Sequence, residues 1–388
     1  MINRRKLLIG TALIALSNAI AACSPAAKAA LKITVLEGSI PSEVLKRFRQ
    51  QLTDSVDFKA ASQLSALYQQ LQRWAKEEPD PKLSNLVSLG DYWLTNAIAQ
   101  QLIEPIQIPA STLEKLPTSW VQFVSRDRTG QLASDGALWA APYKVQSLVI
   151  VYRHSQFDSS DMPPFTSWND LLRPDLRQQI ALPDHPRLVL GLLQKMRNGS
   201  FNPAFEKIDP APDEQLDPGD TPPSVDEDQV KALSRELAEP FAELNAQVKT
   251  YDSDNPLKAL VNEDVKAVVS WSGDAIATLK RYRDFRVAIP AEGSLFSADM
   301  WVRPQGADMS VAAKQWIDFC WQPGPATQIS VSGEGISPVF LEASANLPAA
   351  IADSLLASVG FQKSEPLLPL PAALQATYLA LWQQLRTS

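Results

Sequence analysis

The residues best suited to chemistry lie at the ends of apolar runs. They are Asp91-Tyr92-Trp93 after the run at 86–89, Tyr143 ahead of the run at 147–152, Asp184 after the run at 180–182, Trp271-Ser272-Gly273-Asp274, and the stretch from Asp299 to Trp301. Aromatic faces attract cations and carboxylates pair with ammonium groups, so a fold that brought these positions together would make a box for an amine. Each position also has a plainer reading, because a tryptophan after a strand usually packs in the core and an aspartate before a helix usually caps it.

Other chemistries find little support. Two histidines, His154 and His185, and two cysteines, Cys23 and Cys320, are too few soft ligands for a zinc cage or a metal cluster. No phosphate-cradling glycine motif occurs, and the chain holds only 15 glycines against 30 prolines. There is no G-x-S-x-G elbow for a histidine to serve, so the expectation is a protein that is not an enzyme and uses no cofactor. With 36 Lys and Arg against 43 Asp and Glu, a net charge of -7, the chain has no basic field with which to bind nucleic acid.

The elements that must position these residues follow from hydrophobic period. Leu31–Leu36 alternates as a strand, and Pro41-Ser42-Glu43 opens a helix with Val44, Leu45, Phe48 and Leu52 on one side. A second strand at 56–60 precedes a helix carrying Leu64, Leu67, Leu71 and Trp74, and a third at 86–89 precedes one carrying Leu94, Ile98 and Leu102. A second group starts with the strand at 147–152 and continues through 180–182 and 267–271, with capping-box spacing in Ser167-Trp168-Asn169-Asp170. His185 reads as a helix start. Ala313, Trp316, Ile317 and Cys320 share one helical face, so Cys320 reads as packing, and Tyr378, Leu381 and Leu385 form the stripe of a last helix. Strands alternating with helices of this length predict an α/β fold with largely parallel sheets.

The N-terminus reads as an address. Met1-Ile2-Asn3-Arg4-Arg5-Lys6 is followed by a 16-residue apolar run to Ala22, shorter than the roughly 20 residues of a membrane span. Residues 203–226 hold six prolines among acidic residues and read as a solvated surface insertion.

Several blocks carry a resemblance. Ile20-Ala21-Ala22-Cys23 resembles the lipobox of bacterial lipoproteins, whose cysteine becomes the acylated first residue. Asn3-Arg4-Arg5-Lys6-Leu7-Leu8 also resembles a twin-arginine motif, so the export route is open. Leu89-Gly90-Asp91-Tyr92-Trp93-Leu94, Ala141-Pro142-Tyr143-Lys144, the block Ser167 to Pro174, Asp254-Asn255-Pro256-Leu257, Ser270-Trp271-Ser272-Gly273-Asp274 and Ala298-Asp299-Met300-Trp301-Val302 resemble, in order, the signature blocks of extracellular solute-binding proteins of the spermidine/putrescine type, in a version similar to cyanobacterial sequences. The resemblance implies a type 2 periplasmic-binding-protein fold, two α/β lobes with a hinge and a ligand cleft between them.

The implied organisation is a signal peptide at 1–22, a tether at 23–30, one lobe from 31–144 with 298–340, and a second from 145–297 with 341–388. The implied role is that of a lipoprotein in the periplasm, anchored through lipid on Cys23, which captures a small solute, with a polyamine such as spermidine or putrescine the leading class, and delivers it to the permease and ATPase of an ABC importer. An envelope lipoprotein of the same fold that binds another solute, or serves as a scaffold or sensor partner, is the alternative. Carried over by position, the resemblance implies Tyr92 for the first lobe's ligand wall, Trp271 for the stacking tryptophan of the second, Asp299 for the hinge carboxylate facing an ammonium group, and Ser39 in place of an aromatic. Asp91, Tyr143, Asp184 and Asp274 complete the expected ligand-binding set. Ser297 stands where a tryptophan is usual, and in Asp184-His185-Pro186-Arg187-Leu188 the second-lobe acid of an Asp-x-x-Glu segment is expected to be replaced by Leu188.

Overall fold

The computed structural model describes residues 31–53, 55–76, 83–157, 164–202, 227–253, 255–332, 335–341, 364–368, 370 and 372–387. The expected signal peptide, Cys23, the tether, the 203–226 insertion and Asp254 lie outside the described residues.

The strands are β1 (Leu31–Leu36), β2 (Val56–Ala61), β3 (Leu86–Gly90), β4 (Ile103–Glu104), β5 (Ser125–Arg126), β6 (Ala137–Leu138), β7 (Ala140–Arg153), β8 (Ile180–Leu182), β9 (Val248–Tyr251), β10 (Ala267–Trp271), β11 (Phe285–Ala288), β12 (Leu295–Pro304) and β13 (Glu365–Pro366). All but β5 and β6 form one hydrogen-bonded sheet, whose main path runs β2-β1-β3-β12-β7-β10-β8-β9. β1 pairs in parallel with β2 and β3, and β8 pairs in parallel with β9 and β10, as the alternation of strands and helices predicts. The centre of the path is different: β12 runs antiparallel to both β3 and β7, and β10 antiparallel to β7.

Two long strands do the crossing. The first half of β7 pairs with β12 from Ala140 to Ser147, and its second half pairs with β10 and β11 from Leu148 to Arg153. β12 starts beside β13 at Leu295 and Phe296, then passes along β7 and β3 and ends beside β4. The apolar cores divide at the same place. One cluster gathers β1, β3, residues up to Val145 of β7, Ala298–Val302 and the helix Val311–Cys320; a second gathers Leu148, Ile150 and Tyr152 with β8, the helix Pro186–Asn198 and the helix Ala372–Thr387. A smaller third cluster, built on Val149, Val151, Val268 and Phe285, fills the other face of the second sheet. A sheet covered on both faces needs strands that are apolar on both sides, and every residue of β3 and nearly every residue of β7 is buried.

Local signals explain the helices around the site. Ser167 and Asp170 form the reciprocal capping box at the 3-10 turn Trp168–Leu172. His185 caps the helix Pro186–Asn198 by accepting from the Leu188 N–H, and Pro186 occupies the first turn, where a missing N–H costs nothing. Cys320 is a buried free thiol in the helix face with Ala313, Trp316 and Ile317. Among the described residues, no helix is long and apolar enough to cross a membrane.

Candidate functional site

The site residues come to the crossing strands from four chain segments. Asp91 opens the turn after β3, Tyr143 and Lys144 lie in β7, Ser297 to Asp299 lie in β12, and Ser39 follows β1. Antiparallel pairing sets Asp299 beside Gly90 and Lys144, which brings the first-lobe carboxylate of β12 to the end of β3.

A bulge shapes this junction. Asp299 pairs with Lys144 while Met300 pairs with Pro142, which leaves Tyr143 as an extra residue on β7. A bulge breaks the strict alternation of side chains, so two neighbours can serve the same site. Lys144 Nζ lies 3.0 Å from Asp299 Oδ2 in a buried ion pair, and the charge of Asp299 also reaches the Tyr143 phenol. Burial and that charge together drive the phenol well above its ordinary pKa, so Tyr143 stays protonated. Its hydroxyl donates to Ser39 Oγ at 3.1 Å and shares a hydrogen bond with Ser88 Oγ at 3.0 Å, while Ser39 donates to the Leu36 carbonyl.

Asp91 is the other buried acid. Its Oδ1 accepts from Ser297 Oγ at 2.9 Å and from the Ala298 N–H at 3.2 Å, whereas its Oδ2 is buried with no hydrogen-bond partner. Burial pushes the carboxyl up to about 7; hydrogen bonding from Ser297 and from the Ala298 and Tyr92 backbone holds it back, and the charge of Asp299 adds to the rise. Ser297 thus acquires a use that its resemblance to a lost tryptophan did not suggest: it holds Asp91.

On the other side of the crossing, Trp271 ends β10 opposite Leu148 and is partly exposed, packing against the second core as Tyr92 also does. Ser272 Oγ accepts from the Ser147 N–H at 3.1 Å, tying that strand end to β7. Tyr92 is half-buried, and Arg187 is close enough to act on its phenol electrostatically. Arg187 is 3% exposed and donates to the Phe201 carbonyl, Asn202 Oδ1 and the Leu368 carbonyl.

The structure therefore gathers Ser39, Asp91, Tyr143 and Asp299 into one buried cluster. Asp184 is exposed and its carboxylate is bonded to Arg386 at 2.8 Å. Asp274 is exposed as well and accepts from Ser270 Oγ at 3.3 Å. The expectation for Leu188 needs correction: its side chain lies in the second apolar core, and the fourth position counted from Asp184 is Arg187, whose guanidinium lies over the Tyr378 ring and acts on the Tyr92 phenol electrostatically. A base stands there, so the charge is reversed and not merely lost. Sequence reasoning also missed Lys144. The signal was present, since Lys144 and the terminal Arg153 are the only charged residues in the 14 residues of β7.

Two lobes that meet across crossing strands, with buried acids and partly exposed aromatics at the strand ends, define a periplasmic-binding-protein fold. The chain belongs to the bacterial extracellular solute-binding protein family, whose model matches residues 82–364. It is 25% identical over 173 residues to the spermidine/putrescine-binding periplasmic protein of Salmonella typhimurium, a match covering 45% of this chain and 42% of that protein. It is 25% identical over 189 residues to spermidine/putrescine-binding periplasmic protein 1 of Haemophilus influenzae, covering 49% and 45% of the two chains. The chain thus spans less than half the length of the curated relatives it matches. Its fold is similar to that of the spermidine/putrescine ABC transporter substrate-binding protein of Streptococcus pneumoniae, with a TM-score of 0.73 and 19% identity over 92% of this chain and 98% of that one.

Proposed function

We propose that this chain is the substrate-binding lipoprotein of an ABC importer. It is exported, acylated at Cys23 and held at the membrane facing the periplasm, where it captures a small solute between its lobes and passes it to a permease. In this reading the lobes are 31–144 with 298–340 and 145–297 with 341–388, and they close about β7 and β12. The solute class suggested by the relatives is an amine of the polyamine type. Asp91 is the observation that carries the reading. It is a buried carboxylate with one oxygen lacking a hydrogen-bond partner, at the end of β3 and next to Tyr92 in the chain. Leaving such an acceptor without a partner costs about 1–3 kcal/mol, and a cation would recover it.

The alternative, an envelope lipoprotein of the same fold that takes another solute or acts as a scaffold, draws support from Lys144, which already neutralises Asp299. A thermal-shift titration of the full chain in detergent separates the two. A solute that binds only the folded state, at 100 times its Kd, adds about 2.7 kcal/mol of stability. Spermidine, putrescine and monoamines, set beside amino acids and anions, are the panel. A shift with an amine that disappears in Asp91→Asn supports capture of an amine; no shift with any member supports the scaffold.

A further inference from the structure

We propose that Lys144 is a resident counter-cation that fills the ammonium position at Asp299 and so sets the charge of the solute: the cleft takes an amine with a single positive charge, received at Asp91 Oδ2, and refuses linear di- and triamines. The inference rests on the reading of the chain as a solute-capturing protein and specifies the solute of that same site.

Lys144 is built into the fold. It is 5% exposed and Asp299 is 7% exposed, so the 3.0 Å pair is closed off from water. The stem of the lysine runs past Gly335, where a Cβ would meet Lys144 Cγ at 2.5 Å and Cδ at 2.9 Å. That glycine is held in place because its neighbour Ile336 exchanges both backbone hydrogen bonds with Val145, the residue after Lys144. The track therefore accommodates a lysine stem and would be spoiled by any side chain at 335.

A solute ammonium can reach Asp299 only by displacing Lys144 or by lying beside it. Displacement leaves a buried ammonium without its partner, which is strongly unfavourable, and lying beside it sets two like charges together in a dry site. The rest of the interior leans the same way. Among the described residues, the buried charged side chains are Arg126, Lys144, Arg187 and Lys195 against Asp91 and Asp299. The buried charge of Arg187, which already acts on the Tyr92 phenol, opposes a second ammonium placed against that ring. One buried carboxylate oxygen of this cluster has neither a hydrogen bond nor an ion pair, and it belongs to Asp91. The aromatic rings of Tyr92 and Trp271 suit an amine with a compact apolar or aromatic body.

Calorimetric titration of the full chain in detergent with benzylamine, putrescine and spermidine tests this, on wild type, Lys144→Met, Lys144→Gln and the double variant Lys144→Met/Asp299→Asn, each first checked for a cooperative melt. Wild type is expected to bind benzylamine at least tenfold more tightly than spermidine. Lys144→Met, or Lys144→Gln should the methionine variant not fold, is expected to gain tenfold or more in spermidine and putrescine affinity, and the double variant to lose that gain. Tighter binding of spermidine than of benzylamine by wild type overturns the inference, as does a folded Lys144 variant whose spermidine affinity stays within threefold of wild type; both leave solute capture standing. Failure of every amine with every folded variant overturns the inference together with the reading beneath it.

Discussion

The ring of Tyr143 stacks on that of Trp301 with centroids 4.3 Å apart and planes inclined by 21°. Trp301 in turn packs edge-on against Trp316, so the bulged residue of β7 is clamped by β12 and by the helix behind it. With its hydroxyl tied to Ser39 and Ser88, Tyr143 links the loop after β1, the middle of β3 and both crossing strands. It is fully buried and braces the strands that carry the two acids.

Tyr143→Phe keeps the stacked ring and removes the link. The variant is expected to lose about 1–2 kcal/mol, because two buried serine hydroxyls lose a shared partner. Urea unfolding with an unchanged m-value measures it; a loss below 0.5 kcal/mol would mean that the serines re-pair at no cost.

Asp91 imposes a pH dependence whose sign is fixed. Its carboxyl is raised to about 7 in the folded chain, against a value near 4 when unfolded, so the native state binds the extra proton between those limits. Its contribution to stability is complete below about pH 4, falls as the pH rises through about 7, and is level above that, with a span of at most roughly 4 kcal/mol. The charges on Asp299 and Arg126 act on the same group. Melting curves from pH 4 to 8 should show this fall in wild type and its loss in Asp91→Asn. A cation received at Asp91 requires the ionised carboxyl, so its affinity is expected to rise toward pH 7 and to release a proton on binding below it.

Gly335→Ala sets a methyl group against Lys144 Cγ and 3.0 Å from the Val145 carbonyl. Overpacking of this kind costs about 1–3 kcal/mol. Shortening the lysine in Lys144→Ala/Gly335→Ala removes the collision, so the alanine at 335 is expected to cost less in that background than in wild type. A double-mutant cycle on unfolding free energies reads the difference, and strict additivity would show that the two residues do not meet.

Glu365 knots the second lobe. Its carboxylate accepts from the Phe201 N–H at 2.8 Å, from Asn202 Nδ2 at 3.0 Å and from Ser200, and pairs with the buried Lys195 at 3.3 Å. Through β13 it also holds the start of β12. Glu365→Ala leaves Lys195 buried without its carboxylate, and an expected loss of about 2–4 kcal/mol should appear in denaturant unfolding. Lys195→Met in the same background should recover part of it.

Much of the fold was written locally. The alternation in Leu31–Leu36, the capping box at Ser167 and Asp170, the cap at His185 and the buried face around Cys320 depend on residues within a few positions of one another. Period and capping are properties of short stretches, so a sequence displays them. The order of blocks from Asp91 to Val302 likewise carried the family and with it the two-lobed architecture.

What only tertiary structure decided is which charge meets which. Lys144 and Asp299 are 155 positions apart, and their meeting depends on the antiparallel register of β7 and β12 and on a single extra residue at Tyr143. Slipping that register by one would turn each side chain to the opposite face, and nothing in the composition of either strand specifies the bulge. The same holds for Ser297, whose value as the partner of Asp91 shows only when β12 lies beside β3, and for Arg187, which became distinct from Leu188 once the helix turned one into the apolar core and the other to Phe201, Asn202 and the Tyr378 ring. Sequence fixed the kind of protein because packing patterns repeat along the chain; the electrostatics of the cleft waited on the fold because charges act through space, at distances of a few ångströms that chain position does not encode.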